Sequence, residues 1–239
     1  MLDAIVPTRT LATLAALVAL VAAGCSDEPT GPDAGSSGTP RTGSTYTMHR
    51  FDADTTGAPI AGSGDTIVTT LVATDGRFGA ETGVRVYTQG SDTVALLRDA
   101  GNGDLLYYPA WQGAALVGWI SLPITTRSPT ERVLRDTTID LGGGQTGRSR
   151  VTLEVAYVST HQVTVGDRTL EAHEVRIRIV GVHPLTPDQN LTETSTHTVR
   201  YAPAIGYFVR IETGESQQSP FSTITGPTAV SALTRFELK

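Results

Sequence analysis

Four large aromatic side chains, Tyr107, Tyr108, Trp111 and Trp119, fall close together in the chain, interleaved with Pro109, Gly113 and Gly118. Aromatics that line a concave sheet make an apolar ligand pocket; buried side by side, they simply fill a core. Five histidines, His49, His161, His173, His183 and His197, are the candidate bases and metal ligands. None stands two or four residues from another, so no strand or helix presents a local metal pair. His197 shares a strand face with Val199 and Tyr201, which points it inward. Asp99, Asn102 and Asp104 surround Gly101 and Gly103 with oxygen ligands, but the Glu that closes a calcium loop is missing, and the segment reads as a hairpin turn. The run from Gly142 to Ser149 places Arg148 near the lysine position of a phosphate loop. A phosphate loop must open a helix, and here a strand, RVTLEVAYV, follows, so the run reads as a mobile loop. No nucleophile, base and orienting group stand together. The chain is therefore read as a non-enzyme, with no catalytic residue, metal or cofactor assigned.

Cys25 is the lone cysteine, so one chain can build neither a disulfide nor a thiolate zinc site. Residues 1–24 read as a signal peptide. Arg9 supplies positive charge, Leu11 to Ala22 is apolar, and small residues lead to the cysteine. The apolar run is too short for a resident membrane span. The stretch Val21-Ala22-Ala23-Gly24-Cys25 resembles a bacterial lipobox. That resemblance implies cleavage before Cys25, a diacylglyceryl group on its thiol, and a fatty-acylated amine. Two or three acyl chains hold a protein on a membrane far more firmly than one. Ser26, in place of the aspartate that marks inner-membrane retention, implies the outer membrane.

Residues 25–43, the lipidated cysteine and the stretch SDEPTGPDAGSSGTPRTG, have no side chain that can bury much apolar area and read as a disordered tether. In coil this tether reaches roughly 25 Å. Residues 44–239 form a single domain, and every Trp, Tyr and Phe lies between Tyr46 and Phe236. The formal net charge of −6 and the absence of a basic run (Lys239 is the sole lysine) argue against a nucleic-acid partner.

The elements that position these residues are strands. Short apolar alternations recur between Gly, Asp and Asn clusters, and no 3.6-residue period persists beyond the signal peptide. In HEVRIRIV, Val175, Ile177 and Ile179 alternate with Arg176 and Arg178. In TIVTTLVAT, Val68, Thr70 and Val72 share one face while Ile67, Thr69, Leu71 and Ala73 share the other. Thirteen candidate strands run from 44–51 to 229–238. They include separate strands at 148–160 and 162–166 and one at 115–122. Asn102-Gly103 marks the clearest hairpin. Ser128-Pro129-Thr130-Glu131 has the form of a capping box and predicts at most one helical turn. The fold class is all-β, a curved antiparallel sheet that forms a barrel or half-barrel.

The late segment Thr198-Val199-Arg200-Tyr201-Ala202-Pro203-Ala204-Ile205-Gly206-Tyr207-Phe208-Val209-Arg210 joins two strands through a Pro and Gly turn. With Val165-Gly166-Asp167-Arg168-Thr169-Leu170-Glu171-Ala172, it resembles a group of bacterial envelope domains of unknown function called TapB-like, over roughly residues 150–213. The resemblance implies a curved antiparallel sheet on the cell envelope and carries no active residue over. The expectation is a lipid-anchored envelope protein that binds an apolar ligand or a peptide through Tyr107, Tyr108, Trp111 and Trp119. The alternative is a non-enzymatic scaffold that holds an envelope protein at the outer membrane.

Overall fold

The computed structural model describes residues 39–54, 56–109 and 117–239. Cys25, its signal peptide, most of the tether and Trp111 lie outside the described residues. The first half of the sheet comprises β1 (Thr45–Ala53), β2 (Asp65–Phe78), β3 (Glu81–Gln89), β4 (Asp92–Asp99), β5 (Leu105–Pro109) and β6 (Ile120–Leu122). The second comprises β7 (Thr130–Gly142), β8 (Gln145–Val165), β9 (Arg168–Thr186), β10 (Gln189–Ala202), β11 (Tyr207–Gln218), β12 (Thr223–Thr225) and β13 (Thr228–Glu237). They form one antiparallel sheet in the order β6-β5-β4-β3-β2-β1-β13-β11-β10-β9-β8-β7, with β12 on β11. β13 inserts between β1 and β11 and so joins two meanders.

Connectivity forces this sheet to curl. Laid flat, a path of this many strands would be about 50 Å wide, at 4.7–4.9 Å per strand. Its two edges, β6 and β7, are consecutive in the chain and are joined by residues 123–129 alone. Such a link spans about 25 Å at full stretch. The edges must therefore approach each other, and the result is an open half-barrel. The Arg132 guanidinium on β7 donates to the carbonyls of Val117 and Trp119 just before β6, and so ties one edge to the other.

The interior of the curl is the core. Leu97, Leu122, Val175, Ile177, Val199 and Phe208 are fully buried there, each worth about 2 kcal/mol of burial. Pro40 is already packed; Gly43 N–H donates to Leu71 O at 2.8 Å, and Lys239 N–H donates to the buried Ser44 hydroxyl at 3.1 Å. Both ends of the domain are thus clamped at one point.

The structure corrects several expectations. Residues 148–160 and 162–166 are one strand, β8, because β9 pairs it without a break; a bulge between Tyr157 and Ser159 absorbs the irregularity. Ser128–Glu131 forms no helical turn. Pro129 pushes Ser128 toward extended backbone, and Thr130 and Glu131 pair with Val155 and Glu154. Of the strand expected at 115–122, Ile120–Leu122 pairs as β6, and Gly118, at φ 65°, breaks the run before it. The Gly142–Ser149 run is not a loose loop: Gly142, Gly143 and Gly144 adopt positive φ in a tight hairpin, and Arg148 pairs with Asp136.

Candidate functional site

Strand pleating divides the predicted aromatic cluster. Tyr107 pairs across strands with Leu97 and Ile120 and points into the core, where its ring meets Phe208 at 5.1 Å. Tyr108, one residue on, pairs with Leu96 and belongs to the opposite face. There it meets Trp119 at 5.6 Å and Phe78 at 4.9 Å, while Phe78 and Trp119 stand 6.2 Å apart, edge to face. Tyr108 and Trp119 are half-buried and Phe78 is 41% exposed. In the same cross-strand row, Leu96 is buried, as is Val84 two positions from Val86 on β3. The three rings thus form a small aromatic shelf on the outer face of β2–β5. Phe78 escaped the sequence reading because β2 runs four residues past its expected end. The signal available was the Phe immediately before Gly79, whose positive φ turns the chain into β3.

The inner aromatics serve a different purpose. Tyr46, Tyr87 and Tyr207 stack with centroids 4.5–5.9 Å apart. Tyr46 Oη donates to Ile205 O at 2.8 Å and Tyr87 Oη to Gly206 O at 2.7 Å. Arg85 donates to Tyr201 Oη at 3.3 Å and to Gly206 O at 3.5 Å. Burial drives the Tyr46 and Tyr87 phenols well above their ordinary pKa, so they stay protonated and keep donating. The Pro203–Gly206 turn, the centre of the late motif, is thereby pinned inside the half-barrel by strands from its other half.

The histidines and serines pair in ways the sequence did not reveal. Ser149 Oγ lies 2.8 Å from His183 Nδ1, and His183 Nε2 lies 3.7 Å from Glu193. Ser149 is only 1% exposed, so its hydroxyl cannot meet a substrate carbonyl. Ser159 and Glu174 both approach His161 through the same atom, Nε2, each at 2.8 Å. One nitrogen cannot donate to the carboxylate and accept from the hydroxyl together, so no proton relay runs through His161. His197 does face inward as expected: Ser195 Oγ is 3.1 Å from Nε2 and Thr213 Oγ1 is 3.0 Å from Nδ1. Among the described residues no group of three His, Cys, Asp or Glu side chains could hold a metal ion.

Asp104 is a structural clasp. Its carboxylate accepts from Thr125 N–H at 2.9 Å, Thr126 N–H at 3.0 Å, Thr126 Oγ1 at 2.7 Å and Asn102 Nδ2 at 3.2 Å. Burial works to raise its pKa, the bonds led by Thr126 outweigh it, and the carboxyl lies below its ordinary value. The β4–β5 hairpin is thereby tied to the connection that brings the sheet edges together. Asp104→Ala leaves those donors unmet and is expected to cost about 2 kcal/mol, which urea unfolding measures. Because the folded-state pKa is depressed, the clasp's contribution holds at neutral pH and is lost only as pH falls below the ordinary carboxylate range.

No family model matches the chain, and no curated protein matches it. Solved structures do resemble it. One, described as a "putative lipoprotein" from Parabacteroides distasonis, has 13% identity and a TM-score of 0.40 over 82% of this chain and 96% of that one. Another, described as a "putative exported protein" with a YmcC-like fold from Bacteroides fragilis, has 14% identity and a TM-score of 0.36, over 83% and 97%. The "hypothetical lipoprotein YmcC" of Escherichia coli has 10% identity and a TM-score of 0.32, over 81% and 84%. Likeness at this level assigns the chain neither a family nor a function.

Proposed function

We propose that the chain is a lipid-anchored protein of a bacterial envelope, held at the outer membrane through Cys25, and that its half-barrel is a non-catalytic binding module. Its ligand is an apolar molecule, or the apolar side chains of a peptide, lying against Phe78, Tyr108 and Trp119. The lipobox-like sequence at Cys25 and the TapB-like resemblance support the location. The observation that carries the binding role is the shelf itself: three clustered rings on the outer face of the sheet, Tyr108 and Trp119 half-buried and Phe78 exposed. Exposed apolar clusters of this kind mark contact sites, and rigid aromatics supply contact area at little entropic cost.

Trp119 gives the patch its own reporter. Anilinonaphthalene sulfonate added to the full chain in mild detergent is expected to bind saturably and quench tryptophan emission. Trp119→Ala or Tyr108→Ala should weaken that binding by about tenfold, the equivalent of 1.4 kcal/mol. Probe uptake unchanged in both variants would contradict the assignment. A second reading, a scaffold for an envelope protein, draws on the outer edge of β7, whose thirteen residues are all exposed or half-buried. Cross-linking from Thr137 that recovers the same protein repeatedly would favour it.

A further inference from the structure

A second surface lies far from the aromatic shelf in the strand order, on β10, β11 and β12. Two cross-strand rows build it. Glu193 pairs with Gln217, which pairs with Ile224; beside them Ser195 pairs with Glu215. Gly226 continues the second row, its N–H donating to Glu215 O at 3.0 Å. Residues directly opposite in a sheet share a face. Because Gly226 has no side chain, the second row ends in a dip beside the Glu215 carboxylate. The resulting groove encloses about 460 Å³.

Its charge breaks the pattern of the surrounding sheet. On β7–β11 most strand carboxylates have an arginine: Glu131 has Arg150, Asp136 has Arg148, Glu154 has Arg178, Glu174 has Arg200 and Glu212 has Arg210. Glu193 and Glu215 have none among the described residues. Glu193 accepts only from Gln217, at 3.1 Å, and stands 3.7 Å from His183. No Lys or Arg lines the groove. Two carboxylates on neighbouring strands therefore line one opening that holds no Lys or Arg, a setting that attracts a cationic side chain.

The rim is apolar. Ile224 is 61% exposed, and Phe221, on the turn between β11 and β12, is 82% exposed. That turn is not loose: Ser219 N–H donates to Ser222 O at 2.8 Å, and the Ser219 hydroxyl accepts from the N–H groups of Phe221 and Ser222. The two apolar side chains are held out by a fixed backbone. β12 pairs with β11 on one side only and offers the other as a short backbone edge.

We propose that this groove binds an extended segment of a partner protein carrying a Lys or Arg beside a bulky apolar residue. The cationic side chain meets the Glu193 and Glu215 carboxylates across β10 and β11, and the apolar one packs on Ile224 beside the dip at Gly226, with Phe221 on the adjoining turn. The site is independent of the aromatic shelf and stands or falls separately from it.

The test is fluorescence polarisation on the full chain in mild detergent, at low and at physiological salt. The probes are a labelled peptide Thr-Lys-Leu-Thr-Lys-Leu-Thr and the same peptide with Glu for Lys. The lysine peptide is expected to bind at least tenfold tighter than its acidic counterpart and to weaken with salt. Glu193→Gln with Glu215→Gln keeps side-chain volume and the fold, and should lose at least tenfold. Ile224→Ser should weaken binding without changing its salt dependence. Absence of saturable binding, equal binding of both peptides, or undiminished binding to the double variant would overturn the proposal. So would sedimentation showing that wild-type chains pair through this face and the double variant does not, because the occupant would then be a second copy.

Discussion

Gly206→Ala will destabilise the domain by about 3 kcal/mol or more. Two costs combine. Gly206 sits at φ 64°, in the left-handed region, where an L side chain costs about 1–2 kcal/mol. A Cβ built there would stand 2.5 Å from Pro40 Cγ and 2.9 Å from Arg85 Nη1, so the N-terminal clamp and the guanidinium that holds the turn must both shift. Overpacking of this sort costs a further 1–3 kcal/mol or so. Gly166→Ala is the control. It has nearly the same φ, 62°, but a Cβ there meets nothing within 4 Å, so only the backbone cost of about 1–2 kcal/mol applies. Paired thermal melts should show Gly206→Ala falling by roughly 6–12 °C, at 2–4 °C per kcal/mol for a domain of this size, and Gly166→Ala falling less by the overpacking part. Equal losses would mean that the turn is not pinned as described.

His197 makes the domain acid-sensitive in a window that its carboxylates do not explain. Burial lowers its pKa from 6.5 to about 4. The unfolded chain takes up the proton near pH 6.5 while the folded domain refuses it until about pH 4, so the unfolded state binds more protons in between. Stability is then full above about pH 6.5 and falls progressively as pH drops toward 4, by up to about 3 kcal/mol. Denaturant midpoints measured from pH 7.5 to pH 4.5 should trace that slope. In His197→Gln, which keeps hydrogen-bonding capacity toward Ser195 and Thr213 but cannot titrate, the slope should flatten. An unchanged slope would place the acid sensitivity elsewhere.

Much of the fold could be read from alternation. Val175 and Ile177 are fully buried while Arg176 and Arg178 are exposed, as period two requires. In β2 the two faces were separable but not assignable, because both carry apolar residues. Thr69 and Leu71 face the core, and Val68 and Val72 are left about half exposed. The failures fall where a neighbouring strand decides the outcome. Nothing local keeps β8 continuous through Ser159; its fifteen-pair ladder with β9 does. At Ser128–Glu131 the local bias of Pro129 against helical backbone at Ser128 is small, and it is β8 that claims Thr130 as a strand residue.

The sites were less legible than the fold, for the same reason. Spacing placed Tyr107 and Tyr108 together, and the pleat sends one into the core and the other to the shelf. Phe78, which completes the shelf, is distant in sequence. Glu193, Glu215 and Ile224 meet only through the register of three strands. Gly206 and Pro203 could be read as a turn, but their capture by Tyr46, Tyr87 and Arg85 depends on the curl of the whole sheet.

Native mass spectrometry of the full lipidated chain, extracted gently from a bacterial envelope, tests the binding role most directly. A reproducible mass beyond the protein and its acyl chains is expected, retained on the wild type and lost from Trp119→Ala. A wild-type chain that carries its acyl groups and nothing else, or an added mass that survives Trp119→Ala, would contradict it.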